Sequence, residues 1–433
     1  MKTNLVLVAV FVLALFCFGC GDGVDGNVAG DPDSSDAAQT DNLAMSTASS
    51  IDWAHTAPVM LHGSNLPVCP SAELNGTRCH ARVVVDDQNK PKASTGPTGY
   101  GPSQFRSAYN VSGTAAGTPL IAIVDAYDDP NILADLNTYS TTFGIPTMAA
   151  CPTSPWPPTA PCFRKVDQSG GTSYPKADAG WALEISLDVE IAHAVCQNCA
   201  ILLVEAKSAG TTDLMTAIDR ARTMGAKAIS NSWGGGESSS ETSYDSHFNY
   251  KGIAFTVSSG DSGYGVEWPA ASPYVTAVGG TTLTLTGGGA RASETVWSGA
   301  GSGCSKYEAQ PSFQTALGLA TCKKRMVADV SADADPNTGA AVYDSVSYQG
   351  QKGWFQVGGT SLAAPLIAAI YALGGVGNVQ ANSMPYSLGA YTINLFDVIS
   401  GSNGRCSPSY LCTGVAKYDG PSGLGTPIGA TAF

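Results

Sequence analysis

Five short runs, Pro119–Val124, Ala200–Val204, Ala228–Ser230, Ile253–Val257 and Tyr274–Val278, are mostly apolar and rich in β-formers. A strand on a sheet with one wet face alternates apolar and polar residues. A strand with no polar face must be covered on both sides, as in a parallel sheet between two helical layers. Helical stretches at Thr211–Met224, around Trp181–Val195 and at Leu362–Leu373 supply such layers. The expected fold class is therefore α/β, a parallel sheet flanked by helices on both faces. In such folds ligands bind beyond the carboxyl ends of the strands. Three polar loops stand there: Asn231-Ser232-Trp233-Gly234, Ser258-Ser259-Gly260-Asp261 and the turn at Gly358-Gly359-Thr360-Ser361.

With 433 residues the chain can bury a large core. Charged residues make up only 13 %, the net charge is −13, and there is no basic run, which argues against a nucleic-acid partner. Lys2 precedes an apolar run from Leu5 to Phe18, then Gly19-Cys20-Gly21-Asp22. The run is too short to span a membrane stably and reads as an export signal over 1–20. Gly19-Cys20 resembles a bacterial lipoprotein box, although Cys17 stands where an aliphatic residue is usual. Lipidation at Cys20, which would anchor the protein to a membrane surface, and ordinary cleavage both remain open. The protein is thus expected outside the cell or on its surface, as a monomer.

Residues 21–50 are Gly, Asp, Ser, Ala and Thr with little to bury, and read as a flexible linker. Residues 51–98 form a short pro- or N-terminal segment with one strand at Ala81–Val85. From Gly99 to Phe433 the pattern becomes regular. Ten cysteines follow the signal as near neighbours: Cys69/Cys79, Cys151/Cys162, Cys196/Cys199, Cys304/Cys322 and Cys406/Cys412. In an exported chain this reads as five local disulfides. No second CxxC completes a zinc site with Cys196 and Cys199.

Ser361 stands where a helix begins, and unpaired N–H groups there favour a developing negative charge. Such a serine is either a helix cap or a nucleophile. A nucleophile needs a base, and the five histidines, His55, His62, His80, His193 and His247, lack the context of a Ser-His-Asp site. Glu184 and Asp188 are the alternative. Apolar residues alternate around them from Trp181 to Ile191 as in a strand, which would hold the two carboxyls about 13 Å apart. On a helix they would be neighbours at about 5–6 Å, able to tune one another. The spacing alone leaves both open.

Six motifs occur in order: Ile121-Ala-Ile-Val-Asp125-Ala, Glu184-x-x-x-Asp188, Ser230-Asn-Ser-Trp-Gly234, Ser258-Ser-Gly-Asp261-Ser-Gly, Arg325-Met-Val-Ala-Asp329-Val-Ser-Ala and Gly358-Gly-Thr-Ser361. Together they resemble the sedolisin, or serine-carboxyl peptidase, family over about residues 99–433. The resemblance implies a subtilisin-like sheet in a single large catalytic domain, with the Glu184/Asp188 pair on a helix. It implies an endopeptidase acting in acid through an acyl-enzyme on Ser361, with Glu184 as general base, Asp188 orienting it and Asp261 in the oxyanion hole. Ser232, Trp233 and Gly234 would bind protein or peptide substrates. The family's calcium site maps onto the carboxylates of Asp397 and Asp419 and the carbonyls of Val398, Val415 and Lys417, hard ligands that suit Ca²⁺. The alternative is a catalytically inactive surface-binding protein on the same scaffold. A run from Asp333 to Asp344 mimics an EF-hand loop but lacks the glycine at its sixth place, where Thr338 stands. Family members carry prosegments of well over a hundred residues, whereas about 75 separate signal from catalytic region here.

Overall fold

The computed structural model describes residues 52–53, 56–69, 76–319, 322–387 and 391–433. The export signal, Cys20, the linker and His55 lie outside them. Residues 51–433 form one compact unit.

The core is an eight-stranded sheet in the order Arg291–Val296, Thr276–Leu285, Ala254–Ser258, Ala228–Asn231, Leu120–Ala126, Ala200–Ala206 and Phe163–Asp167, with Val330–Asp333 also paired to Thr276–Leu285. Every pairing is parallel except that of Arg291–Val296. The strands Leu120–Ala126 and Ala200–Ala206 are buried at all seven positions, which is why their sequences do not alternate.

Two helices place the candidate residues. Ala179–Val195 is capped by Asp178, whose carboxylate accepts the N–H groups of Gly180 and Trp181 at 3.0 Å each. Every residue from Gly180 to Val195 is buried, so no polar stripe marks a 3.6-residue period. That absence explains the strand-like alternation in its sequence. This helix packs against Thr360–Gly374, which runs through the interior.

Residues preceding Gly99 are woven into the same unit. Asn65–Pro67 pairs with Arg82–Val84, which pairs in turn with Gln351–Gly358, while Arg78–Cys79 pairs antiparallel with Trp233–Gly236. All five expected disulfides are present. Among the described residues no helix is long and apolar enough to cross a membrane.

Candidate active site

Ser361 lies in the first turn of its helix, after Gly359 at φ +96°, a conformation that side chains other than glycine's rarely adopt. A Cβ on Gly359 would also meet the carbonyl oxygen of His80 at 1.9 Å and Asp261 Oδ2 at 2.6 Å. The motif's proline has a local role too. Pro365 has no N–H to give the carbonyl four residues earlier, which leaves the Ser361 carbonyl without its helical partner, with Ser232 Oγ 3.4 Å away.

The structure brings Ser361, Glu184, Asp188, Asp261 and Ser232 together where strands end. Ser361, Glu184 and Asp188 are fully buried. The Ser361 hydroxyl donates to the Ser232 carbonyl at 3.3 Å, and Ser232 Oγ donates to Asp188 Oδ2 at 2.6 Å. Glu184 Oε2 accepts the Ala81 N–H at 2.9 Å. Glu184 Oε1 and Asp188 Oδ1 are buried with no partner, yet the two carboxyls act on one another, and a proton held between them would satisfy both.

Burial pushes Glu184 and Asp188 well above the usual carboxylate range, and the charge of Asp125 adds to the rise in each. Asp125, at the end of its apolar strand, is pushed up to about 8 by burial, and neither of its oxygens has a partner. Three carboxyls this close cannot all be ionised. Hydrogen bonding to the ionised form decides which loses its proton first. Glu184 has the Ala81 N–H and the nearby Ser361 hydroxyl, and Asp188 has the Ser232 hydroxyl at 2.6 Å, each of which lowers the group it meets, whereas Asp125 has no such donor.

Asp261 ends the loop after Ala254–Ser258. Its Oδ1 accepts the Thr360 N–H and hydroxyl at 2.8 Å each, and its buried Oδ2 has no partner. Burial raises it, while His80, Thr360 and Arg82 draw it back, leaving it net above its ordinary value. Trp233 is buried with Nε1 on the Val124 carbonyl at 2.8 Å, so at this position the backbone, not the indole, faces the cleft.

His193 lies elsewhere, fully buried with Nε2 2.6 Å from the Pro146 carbonyl. His80, which no sequence motif singles out, has its Nδ1 2.7 Å from Ser258 Oγ and its Nε2 2.8 Å from Glu267 Oε2. Nothing local marks these contacts, which span more than 170 residues. Asp125 was detectable as a carboxyl closing an apolar strand.

In the C-terminal region, Asp397 Oδ2 accepts the Lys417 N–H at 2.8 Å, and Asp419 accepts Val415 N–H at 3.1 Å and Ser422 N–H at 2.9 Å. Asp397 Oδ1 is buried without a partner. Burial, with the charge of Asp397 adding to it, pushes Asp419 up to about 7. Two interacting carboxylates with an orphaned oxygen fit a hard divalent cation.

Comparison with known proteins agrees with this geometry. Residues 178–384 match the model of the Subtilase family. Sedolisin of Pseudomonas sp. (strain 101) is 30 % identical over 396 residues, which is 81 % of this chain and 64 % of that protein. Kumamolisin of Bacillus sp. (strain MN-32) is 29 % identical over 78 % of this chain and 63 % of its own length. The solved structure of Pseudomonas sedolisin, a serine-carboxyl proteinase complexed with two molecules of pseudo-iodotyrostatin, matches 77 % of this chain and 96 % of its own at 28 % identity and TM-score 0.63. These findings together support the sedolisin family. It spans less than two thirds of the length of these two curated relatives.

Proposed function

We propose that this sedolisin-family chain is an exported serine-carboxyl endopeptidase that hydrolyses proteins in acid. The observation that carries this is the convergence of Ser361, Glu184, Asp188 and Asp261 from three separate parts of the chain onto one buried point.

In the proposed reaction Ser361 Oγ attacks the carbonyl carbon of the scissile bond and Glu184 takes the hydroxyl proton. Asp188, held by Ser232, orients Glu184. Asp261 donates a hydrogen bond to the oxyanion, which a carboxyl does only while protonated. Glu184 then passes the proton to the leaving nitrogen, and water releases the acyl group from Ser361. As pH rises Asp261 loses its proton, so activity falls on the alkaline side. Glu184 serves as base in the fraction that has lost its proton, a form that the Ala81 N–H and the Ser361 hydroxyl favour against its burial. The buried Asp419 beside the half-buried Asp397, whose Oδ1 has no partner, supports a structural Ca²⁺ held by them, with the carbonyls of Val398, Val415 and Lys417 completing the shell. The five disulfides fit an exported protein.

The test is digestion of a denatured protein from about pH 3 to 8 by the parent, Ser361→Ala and Glu184→Gln proteins. An acid optimum lost in both variants is expected. Undiminished activity of Ser361→Ala would sink the assignment.

A further inference from the structure

The helix Ala179–Val195 carries a second set of buried acids on the face away from Ser361. Ser186 and Glu190 stand one turn apart on that face. Ser186 Oγ donates to Asp129 Oδ2 at 3.2 Å, and Glu190 Oε2 accepts the Tyr343 N–H at 3.0 Å. These contacts turn the face toward two other parts of the chain that bring carboxyls. One is the loop after the strand Leu120–Ala126, where Asp129 precedes Asp135 in the first turn of the helix Ile132–Phe143. The other is the strand Ala340–Tyr348, which carries Asp344. The two helices and this strand pack on one another.

Asp129, Asp135 and Asp344 each offer a carboxylate oxygen, and the three oxygens lie within 4.8 Å of one another. Ligands on opposite sides of a Ca²⁺ ion stand about 5 Å apart, twice a bond of about 2.3–2.6 Å, so the three already fit around one centre. All three residues are buried.

A helix N-terminus by itself attracts acids. It accounts for Asp129, whose Oδ1 accepts the Asn131 N–H at 2.8 Å, and for Asp135 in the first turn. It does not account for Asp344 or Glu190, which arrive from other elements. Each of these has one oxygen on a backbone N–H, Asp344 Oδ1 on Val346 at 2.7 Å and Glu190 Oε2 on Tyr343. The other oxygens, Asp344 Oδ2 and Glu190 Oε1, are buried with no partner, and both residues are fully enclosed. The charges of Asp135, Asp344 and Asp129 bear on Glu190, and those of Asp129 and Asp135 bear on Asp344. The Tyr139 hydroxyl, in the field of Glu190, is likewise buried and unpartnered.

A buried carboxylate oxygen is strongly unfavourable unless a positive group meets it. Lys165 sends its ammonium to the Asp129 carbonyl at 2.7 Å and to the carboxylates of Asp128 and Glu205. Its one charge is divided among those oxygens, and the four carboxyls keep an excess of negative charge.

We propose that Asp129, Asp135 and Asp344 hold one Ca²⁺, with the charge of Glu190 behind them. Oxygen donors without nitrogen or sulfur suit a hard cation. Mg²⁺ keeps several waters, for which a cluster this enclosed leaves little room, so Ca²⁺ is the ion expected. The site is separate from the Asp397/Asp419 pair and does not depend on the peptidase reading. It ties the loop after Asp125 and the strand Ala340–Tyr348 to the back of the helix that presents Glu184 and Asp188.

The full chain carrying Ser361→Ala, which removes the candidate nucleophile, is stripped with a chelator. It is then titrated with calcium chloride by calorimetry at about pH 7, above the usual carboxylate range. This parent is compared with Asp344→Asn, Asp419→Asn and the two together. Two ions per chain are expected in the parent, one in each single variant and none in the double. In the Asp419→Asn protein calcium should raise the Tm more than magnesium at the same concentration. Adding Glu190→Gln to it should lower calcium affinity at least tenfold. Near-ultraviolet circular dichroism confirms each fold, and if Asp344→Asn does not fold, Glu190→Gln carries the test. An Asp419→Asn protein that binds no calcium overturns the site, as does an ion that survives Asp344→Asn or Glu190→Gln with unchanged affinity. A single ion lost in Asp344→Asn but kept in Asp419→Asn upholds it and removes the C-terminal reading instead.

Discussion

One helix, Ala179–Val195, carries buried carboxyls on two faces, and the faces differ in what surrounds them. Residues 184 and 188 share a face, and a step of two residues turns about 200° at 3.6 residues per turn, so Ser186 and Glu190 point the other way. On the first face Glu184 and Asp188 meet hydroxyls and a backbone N–H, from Ser361, Ser232 and Ala81. On the second face Glu190 meets three more carboxyls, and Ser186 donates to Asp129 at 3.2 Å. Nothing there accepts a proton from a substrate. Equal burial thus supports two proposed chemistries, proton transfer where the Ser361 hydroxyl meets the carboxyls and cation binding where four carboxyls gather.

The contrast is broken most severely by changing the first face. Ser361→Ala should lower kcat by up to about 10⁶-fold, measured on a denatured protein in acid, with the circular dichroism spectrum unchanged. Next comes Asp261→Ala, expected to cost about 10²–10³-fold in kcat by removing one oxyanion donor. Asp261→Asn sharpens the point, because an amide donates at every pH. The alkaline limb of its pH–rate profile should move upward, and an unmoved limb would remove Asp261 from the oxyanion hole.

A smaller effect concerns stability. Asp125 is about 8 in the folded chain and near 3.9 when unfolded, so the folded state binds the extra proton. Its contribution is fully present below about pH 4 and is lost as pH rises to about 8. Asp125→Asn should therefore leave the acid Tm in place and raise the Tm at about pH 8 by a few degrees, read by calorimetry. The smallest effect is expected from His193→Gln, which should leave the shape of the pH–rate profile intact, since His193 contacts Pro146 and not the serine.

Much of this was legible residue by residue. The apolar runs at 119–124 and 200–204 announced a doubly covered parallel sheet because a strand without a polar face has no other stable place. The loops after Asn231 and Ser258 could be placed at strand ends for the same reason. The helix at 179–195 was not legible from periodicity. It is buried all round, so the pattern that distinguishes helix from strand is absent, and only the ordered family motifs indicated it. The run from Asp333 to Asp344 looked like a single loop of ligands. In the fold Asp344 turns away to Asp129 and Asp135, more than 200 residues earlier, while Asp333 accepts the Thr338 hydroxyl at 2.8 Å.

By itself the sequence determined the sheet, its two helical layers, the five local disulfides and the residue types of the candidate centre. These are encoded in short-range apolarity, near-neighbour cysteines and motifs a few residues long. The tertiary structure alone decided that the Ala81 N–H meets Glu184 in that centre, that Glu267 meets His80, and that Asp129, Asp135, Glu190 and Asp344 gather behind the helix. Those relations join segments up to about two hundred residues apart. They arise from chain crossings and burial, which shift charge and hydrogen bonding without leaving a local trace in the residues concerned.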